Sequence, residues 1–136
     1  MRAFLDTNVL VSAFATRGLC AELFELVLLE HDLILGRSVL RELSKAVQQK
    51  VKLPARDTAA IITFLEDEAS QLVESSDPAD VAVDRDDAIV LGDAIAGHAE
   101  VFVTGDAKVL SLGQHGALRI VSPRGFWELL QAEKSP

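Results

Sequence analysis

Ala3-Phe4-Leu5-Asp6-Thr7-Asn8 and Val101-Phe102-Val103-Thr104-Gly105-Asp106 decide the fold of this chain. Each is a short apolar run that leads into an aspartate and then into helix-start chemistry. Such runs, bounded by turn residues, read as buried strands. In open parallel α/β sheets, ligands sit beyond the carboxyl ends of the strands, where strand order reverses. Two carboxylates delivered there by separate strands repel each other unless something positive lies between them. A divalent metal ion is the economical candidate.

Outward from these two segments, strands and helices alternate. The pattern predicts a strand over 2–6, a helix from Asn8 to about Thr16, and a second from about Cys20 to Glu30, separated by Arg17-Gly18. Asp32-Leu33-Ile34-Leu35 reads as a strand ended by Gly36, and Ser38 as the N-cap of a helix through about Lys50. Leu53-Pro54 breaks the chain, and a long helix is predicted from Ala55 to Leu72. Residues 74–80 read as a loop, and Val81-Ala82-Val83 as a short strand. A helix over about 86–97 precedes the strand at 101–104. Leu118-Arg119-Ile120-Val121 is the last strand, and Ser122 caps a final helix that opens on Pro123. The expectation is a single α/β domain over 1–136, with three α/β/α layers around a mostly parallel sheet of about five strands.

Composition agrees. With 49% hydrophobic and 25% charged residues among 136, the chain reads as globular. No uncharged apolar stretch approaches the ~20 residues of a spanning helix, and Asp6 interrupts any secretory signal. Cys20 is the only cysteine, which rules out an internal disulfide or a cysteine-rich zinc site. A cytoplasmic setting is expected. The net charge of −8 argues mildly against a nucleic-acid partner. Its distribution softens that objection: Arg37, Arg41, Lys45, Lys50, Lys52 and Arg56 share residues 37–56 with Glu42 as the only acid. This stretch is either a solvated helix face or a phosphate-binding one.

Two more acids can join Asp6 and Asp106. In the helix after Ser38, Val39, Leu40, Leu43, Ala46 and Val47 mark the buried side, and Glu42 falls at its rim. Asp87 opens a helix that is apolar almost all round, so it is held near the strand ends. Taken alone, Asp84, Asp86 and Asp87 could be ordinary helix-start acids. Together, four converging carboxylates cannot all stay ionised without cations, since two unit charges at 4 Å interact by about 4 kcal/mol at an effective dielectric of 20. Mg2+ or Mn2+, one ion or two, suits hard oxygen ligands. Zinc suits them poorly: His31, His98 and His115 lie far apart in the sequence. No G-x-S-x-G, P-loop or dinucleotide fingerprint is present.

Phe4-Leu5-Asp6-Thr7-Asn8-Val9-Leu10-Val11-Ser12-Ala13, Ser38-Val39-Leu40-Arg41-Glu42-Leu43, Asp84-Arg85-Asp86-Asp87-Ala88-Ile89-Val90-Leu91, Val103-Thr104-Gly105-Asp106 and Val121-Ser122-Pro123-Arg124-Gly125-Phe126 resemble segments of the PIN-domain family of metal-dependent ribonucleases. The likeness is to its VapC-like branch, toxin components of bacterial toxin–antitoxin pairs. Many relatives carry proline at the position of Arg85. The resemblance implies an acidic quartet of Asp6, Glu42, Asp87 and Asp106. It also implies support from Asn8 and Thr104, and Asp84 as an extra ligand, reached through water. It further implies hydrolysis of single-stranded or looped RNA, with Arg41, Lys45, Lys50 and Lys52 on phosphates, a cognate antitoxin and a homodimer.

Three other readings stay open from the residues. A phosphoaspartate phosphatase would want a second aspartate where Asn8 stands, and a receiver domain would want paired acids where Leu5-Asp6 stands. A PIN-like module that binds RNA or protein without cutting is the remaining alternative.

Overall fold

The computed structural model describes residues 1–75 and 77–134. Ser76, inside the loop expected at 74–80, and residues 135–136 of the expected domain lie outside the described residues. The elements are β1 (Arg2–Leu5), α1 (Thr7–Ala15), α2 (Leu19–Glu30), β2 (Asp32–Gly36), α3 (Arg37–Gln49), α4 (Ala55–Glu68), β3 (Gln71–Val73), α5 (Arg85–Ala96), β4 (Val101–Val103), α6 (Ala107–Leu110), β5 (Gln114–His115), β6 (Leu118–Val121) and α7 (Pro123–Lys134).

These strands form one sheet in the order β3-β2-β1-β4-β6-β5. Every pairing is parallel except β5 against β6. Helices flank the sheet in the expected three-layer arrangement, with six strands in place of five. The chain winds outward from β1 through β2 to β3, then returns to the other side of β1 as β4. Strand order therefore reverses between β1 and β4, and the crevice at their carboxyl ends is the switch point.

Packing fixes the register there. Phe4 and Phe102 are directly opposite in the β1–β4 ladder, both essentially buried, with rings stacked 5.2 Å apart. Each buried phenylalanine contributes roughly 1.5–3 kcal/mol. A one-residue slip of β4 against β1 would put the two rings on opposite faces, so the pair holds Leu5 against Val103. The next residues follow: the Asp6 amide donates to the Val103 carbonyl at 3.0 Å. Leu23, Phe24 and Val27 of α2 and Val90, Leu91 and Ala94 of α5 belong to the same core. Among the described residues, no helix is long and apolar enough to cross a membrane.

Four local expectations are corrected. The helix expected to reach Leu72 stops at Glu68, because Ala69 turns to extended backbone. Gln71–Val73 then pairs with Ile34–Gly36 as β3. Val81-Ala82-Val83 is not a strand. Its amides close tight local turns, Val81 onto Ala79 and Val83 onto Val81, each at 3.0 Å. Ser38 does not cap α3. Gly36 holds the cap position without a side-chain bond, and the Ser38 hydroxyl donates to Asp93 instead. Finally, α6 and β5 were not foreseen. Ser122 does act as expected, accepting from the Gly125 amide at 2.9 Å ahead of Pro123.

Candidate metal centre

Asp6 follows β1 directly and is buried. One carboxylate oxygen accepts from the Thr7 amide at 2.8 Å, which caps α1 and uses the positive end of its dipole. The other accepts from the Thr104 hydroxyl at 2.8 Å and from Asn8 Nδ2 at 3.2 Å. Asp106 follows β4 and caps α6, accepting from the Lys108 amide at 2.9 Å. Strand end and helix cap are adjacent at Asp6 and separated only by Thr104-Gly105 at Asp106, which explains why both segments read alike in sequence.

Thr104 and Asn8 lock the two halves together. The fully buried Thr104 hydroxyl donates to Asp6 while accepting from Asn8 Nδ2 at 3.2 Å and from the Asp106 amide at 3.1 Å. Asn8 Oδ1 accepts from the Gly105 amide at 2.7 Å. One hydroxyl and one amide thereby set the two strand-end aspartates against each other. Glu42 arrives from α3, where Thr7 Oγ1 donates to it at 3.0 Å.

Asp6, Glu42, Asp87 and Asp106 line one cleft of about 330 Å3, together with Thr7, Asn8, Val11, Ala46 and Lys50. The four acids come from four separate segments. Asp84, at the N-cap of α5, and Asp86 do not line this cleft. Asp86 lines an adjoining groove of about 260 Å3 with Ser38, Arg41, Glu42, Lys45 and Ile89. Glu42 is common to both hollows. Of the basic residues singled out by sequence, Lys50 sits in the acid cleft and Arg41 and Lys45 in the groove beside it. Lys52 lines neither, and occupies a left-handed backbone position at φ 62° beyond the end of α3. Arg41 also pairs with the exposed Glu74 at 3.5 Å.

Electrostatics mark the cleft. Burial pushes the Asp6 carboxyl above the usual aspartate range, against the pull of its bonds to Thr104, Thr7 and Asn8, and the charge of Asp106 adds to the rise. Asp87 is raised by desolvation, then by the charges of Asp106, Asp6, Asp84 and Asp86. Glu42 is exposed as a residue, yet partial burial of its carboxylate raises its pKa. The Thr7 bond opposes that rise, and Asp6, Asp86 and Asp87 add to it. Among the described residues, the side-chain ion pairs join Arg37–Glu66, Arg41–Glu74, Arg124–Glu128 and Lys134–Glu30, so no member of the quartet is neutralised by one.

The donor set suits a hard divalent cation. All of its charged atoms are carboxylate oxygens, four acids against the single cation Lys50 among the residues lining the cleft. Among the described residues, no group of three or more His, Cys, Asp or Glu side chains is arranged to hold a metal ion as it stands. An open arrangement fits Mg2+, which keeps several waters and takes only one or two carboxylates directly.

Sequence reasoning passed over Asp93. It is 1% exposed on α5, and accepts from Ser38 Oγ at 2.7 Å and from the Ser75 amide at 2.8 Å. An acid inside an otherwise apolar helix face was the available signal.

In fold, the chain resembles VapBC2 from Rickettsia felis, in a crystal structure bound to a DNA fragment from the promoter. That match has a TM-score of 0.65 and 18% identity, over 90% of this chain and 98% of the other. It also resembles VapBC-1 from nontypeable Haemophilus influenzae, with a TM-score of 0.64 and 17% identity over 91% and 99%. No curated protein matches the sequence significantly. A family model described as the PIN domain matches residues 2–108, which include Asp6, Glu42, Asp87 and Asp106, and the chain belongs to the PIN-domain family.

Proposed function

We propose that this protein is a Mg2+- or Mn2+-dependent endoribonuclease, the VapC-like toxin of a cytoplasmic toxin–antitoxin pair, acting as a single domain. The observation that carries the proposal is the convergence of four unpaired carboxylates on one cleft at the sheet's switch point. Likeness to VapBC structures supports the toxin branch and a cognate antitoxin, and the sequence resemblance adds a homodimer. PIN-family membership favours this reading over the phosphoaspartate ones.

In this reading Asp6, Asp87 and Asp106 hold metal, Asp84 assists through water, and Asn8 and Thr104 keep Asp6 fixed. One or two bound ions would supply hydroxide at neutral pH and positive charge for the phosphate oxygens. Glu42, on the rim and held by Thr7, orients or deprotonates the attacking water. Lys50 in the acid cleft and Arg41 and Lys45 in the adjoining groove give phosphates of a flexible strand two cationic anchors. Lys52, away from both hollows, is the weaker contact. Single-stranded or looped RNA fits an open cleft better than a stiff duplex.

The test is cleavage of a defined RNA panel with Mg2+ or Mn2+. Activity is expected to vanish with a chelator, and to fall at least about a hundredfold in Asp6→Asn and Asp87→Asn. Equal turnover by all three proteins would refute the assignment. Tight RNA binding by the metal-loaded wild type without cut product would turn it into a binding module.

A further inference from the structure

We propose that Asp93 is a positioning residue, a buried pin that holds α3 and α5 together so that Glu42 and the acids of α5 face one cleft. The inference rests on the metal-centre reading above and adds a determinant of its geometry.

The two helices run past each other in opposite directions. Ser38, at the start of α3, meets Asp93, late in α5. Further along α3, Glu42 meets Asp86, at the start of α5, across the groove they share with Ile89. Asp86, Ile89 and Asp93 stand at i, i+3 and i+7, on one stripe of α5. Ser38 and Glu42 stand one turn apart on the facing stripe of α3. The seam is thus closed at one end by a hydrogen bond, and at the other opens into a groove where Glu42 and Asp86 face each other beside Arg41 and Lys45. The charges of Asp86 and Asp87 act unfavourably on Glu42. Fixing the far end sets how α3 and α5 pass each other at this groove.

Asp93 has the features such a pin needs. Its two oxygens are used by two different segments: the Ser38 hydroxyl of α3 and the Ser75 amide just past β3. The fit is close. A Cβ added to Gly36, the cap of α3, would lie 2.4 Å from Asp93 Oδ2, nearer than atoms can stand. A carboxylate at 1% exposure is costly to bury without such bonds, so its place is explained by what it ties together. Asparagine keeps both links. Its carbonyl can accept from the Ser75 amide, and its amide can donate to Ser38 Oγ, which is both donor and acceptor. Alanine keeps neither.

The experiment uses the full chain in a Cys20→Ser background, with spin labels on Gln48→Cys and Arg85→Cys, both exposed sites on the two helices. Label-to-label distances are read without metal, and Mn2+ binding is then titrated by electron paramagnetic resonance on the unlabelled variants. Asp93→Ala is expected to lengthen and broaden the distance distribution and to weaken Mn2+ binding about tenfold or more. Asp93→Asn should match wild type in both. Ser38→Ala should fall between, and it carries the test if Asp93→Ala does not fold. An unchanged distance distribution, or wild-type Mn2+ affinity in a splayed variant, would overturn the pin. So would an asparagine variant as impaired as alanine. Splaying in a series whose wild type binds no Mn2+ would uphold the pin and overturn the metal centre instead.

Discussion

Asp87→Asn should stabilise the metal-free protein and destabilise the metal-loaded one. Asp87 accumulates unfavourable terms: desolvation, then the charges of Asp106, Asp6, Asp84 and Asp86. An unscreened pair at 4 Å would be worth about 4 kcal/mol at a dielectric of 20. Partial exposure and solvent screening cut this sharply, and measured exposed pairs fall at about 0–1 kcal/mol. Removing the charge should therefore gain about 0.5–1 kcal/mol, or about 2–4 °C in Tm for a chain of this size. With Mn2+ present the sign reverses. Ligand at a hundred times its Kd stabilises the wild type by about 2.7 kcal/mol, and each tenfold loss of affinity removes about 1.4 kcal/mol. Thermal melts of both proteins in chelator and in millimolar Mn2+ should cross over. A variant less stable than wild type in chelator, or one showing the full Mn2+ shift, would refute the picture of mutually repelling carboxylates awaiting a cation.

Thr104→Val should cost about 1–3 kcal/mol by denaturant melt, because it strands the Asp106 amide, removes one of the two acceptors of Asn8 Nδ2 and takes a donor from buried Asp6. The same variant should weaken Mn2+ binding, since Asp6 loses its orientation. For the pH dependence, Asp6, Glu42 and Asp87 all have folded pKa values raised above their unfolded ones. Between the two values the folded state binds more protons, so these groups lower stability as pH rises through that window. Metal-free protein should therefore melt higher at mildly acidic pH than at pH 7 as far as these three groups contribute, and bound Mn2+ should flatten that slope. Arg41→Glu with Lys45→Glu should raise KM for RNA severalfold and leave Mn2+ affinity near wild type. An unchanged KM would remove the groove from the substrate path.

What the sequence revealed was local chemistry repeated at distant points. Leu5-Asp6 and Val103-Thr104-Gly105-Asp106 could be read because a buried strand leads into a helix cap in each, and both features have strong residue preferences. The placement of Glu42 at a helix rim followed from simple periodicity. The misreadings involve structure that only long-range contacts create. Gln71–Val73 is three residues long and is a strand because β2 lies beside it. Nothing in Glu68-Ala69-Ser70 announces the end of α4, as a glycine or proline would. β5 is shorter still, although Gly116, at φ 58° ahead of Ala117, carries the hairpin signal. Ser38 has the right chemistry for a cap but a stronger partner, a carboxylate 55 residues away. Asp93 itself was masked by its neighbours, since one acid scarcely alters a pattern dominated by Ala88, Val90, Leu91 and Ala94.

The lateral contact between β1 and β4 also governs biogenesis. The ribosome makes Asp6 almost at once, but its neighbour in space is Asp106, made after about three quarters of the chain. Until β4 has been synthesised and has settled beside β1, the nascent polypeptide holds at most three of the four acids, and one wall of the crevice is missing. If the proposed function holds, products ending before Asp106 would lack activity, however well their first half folds.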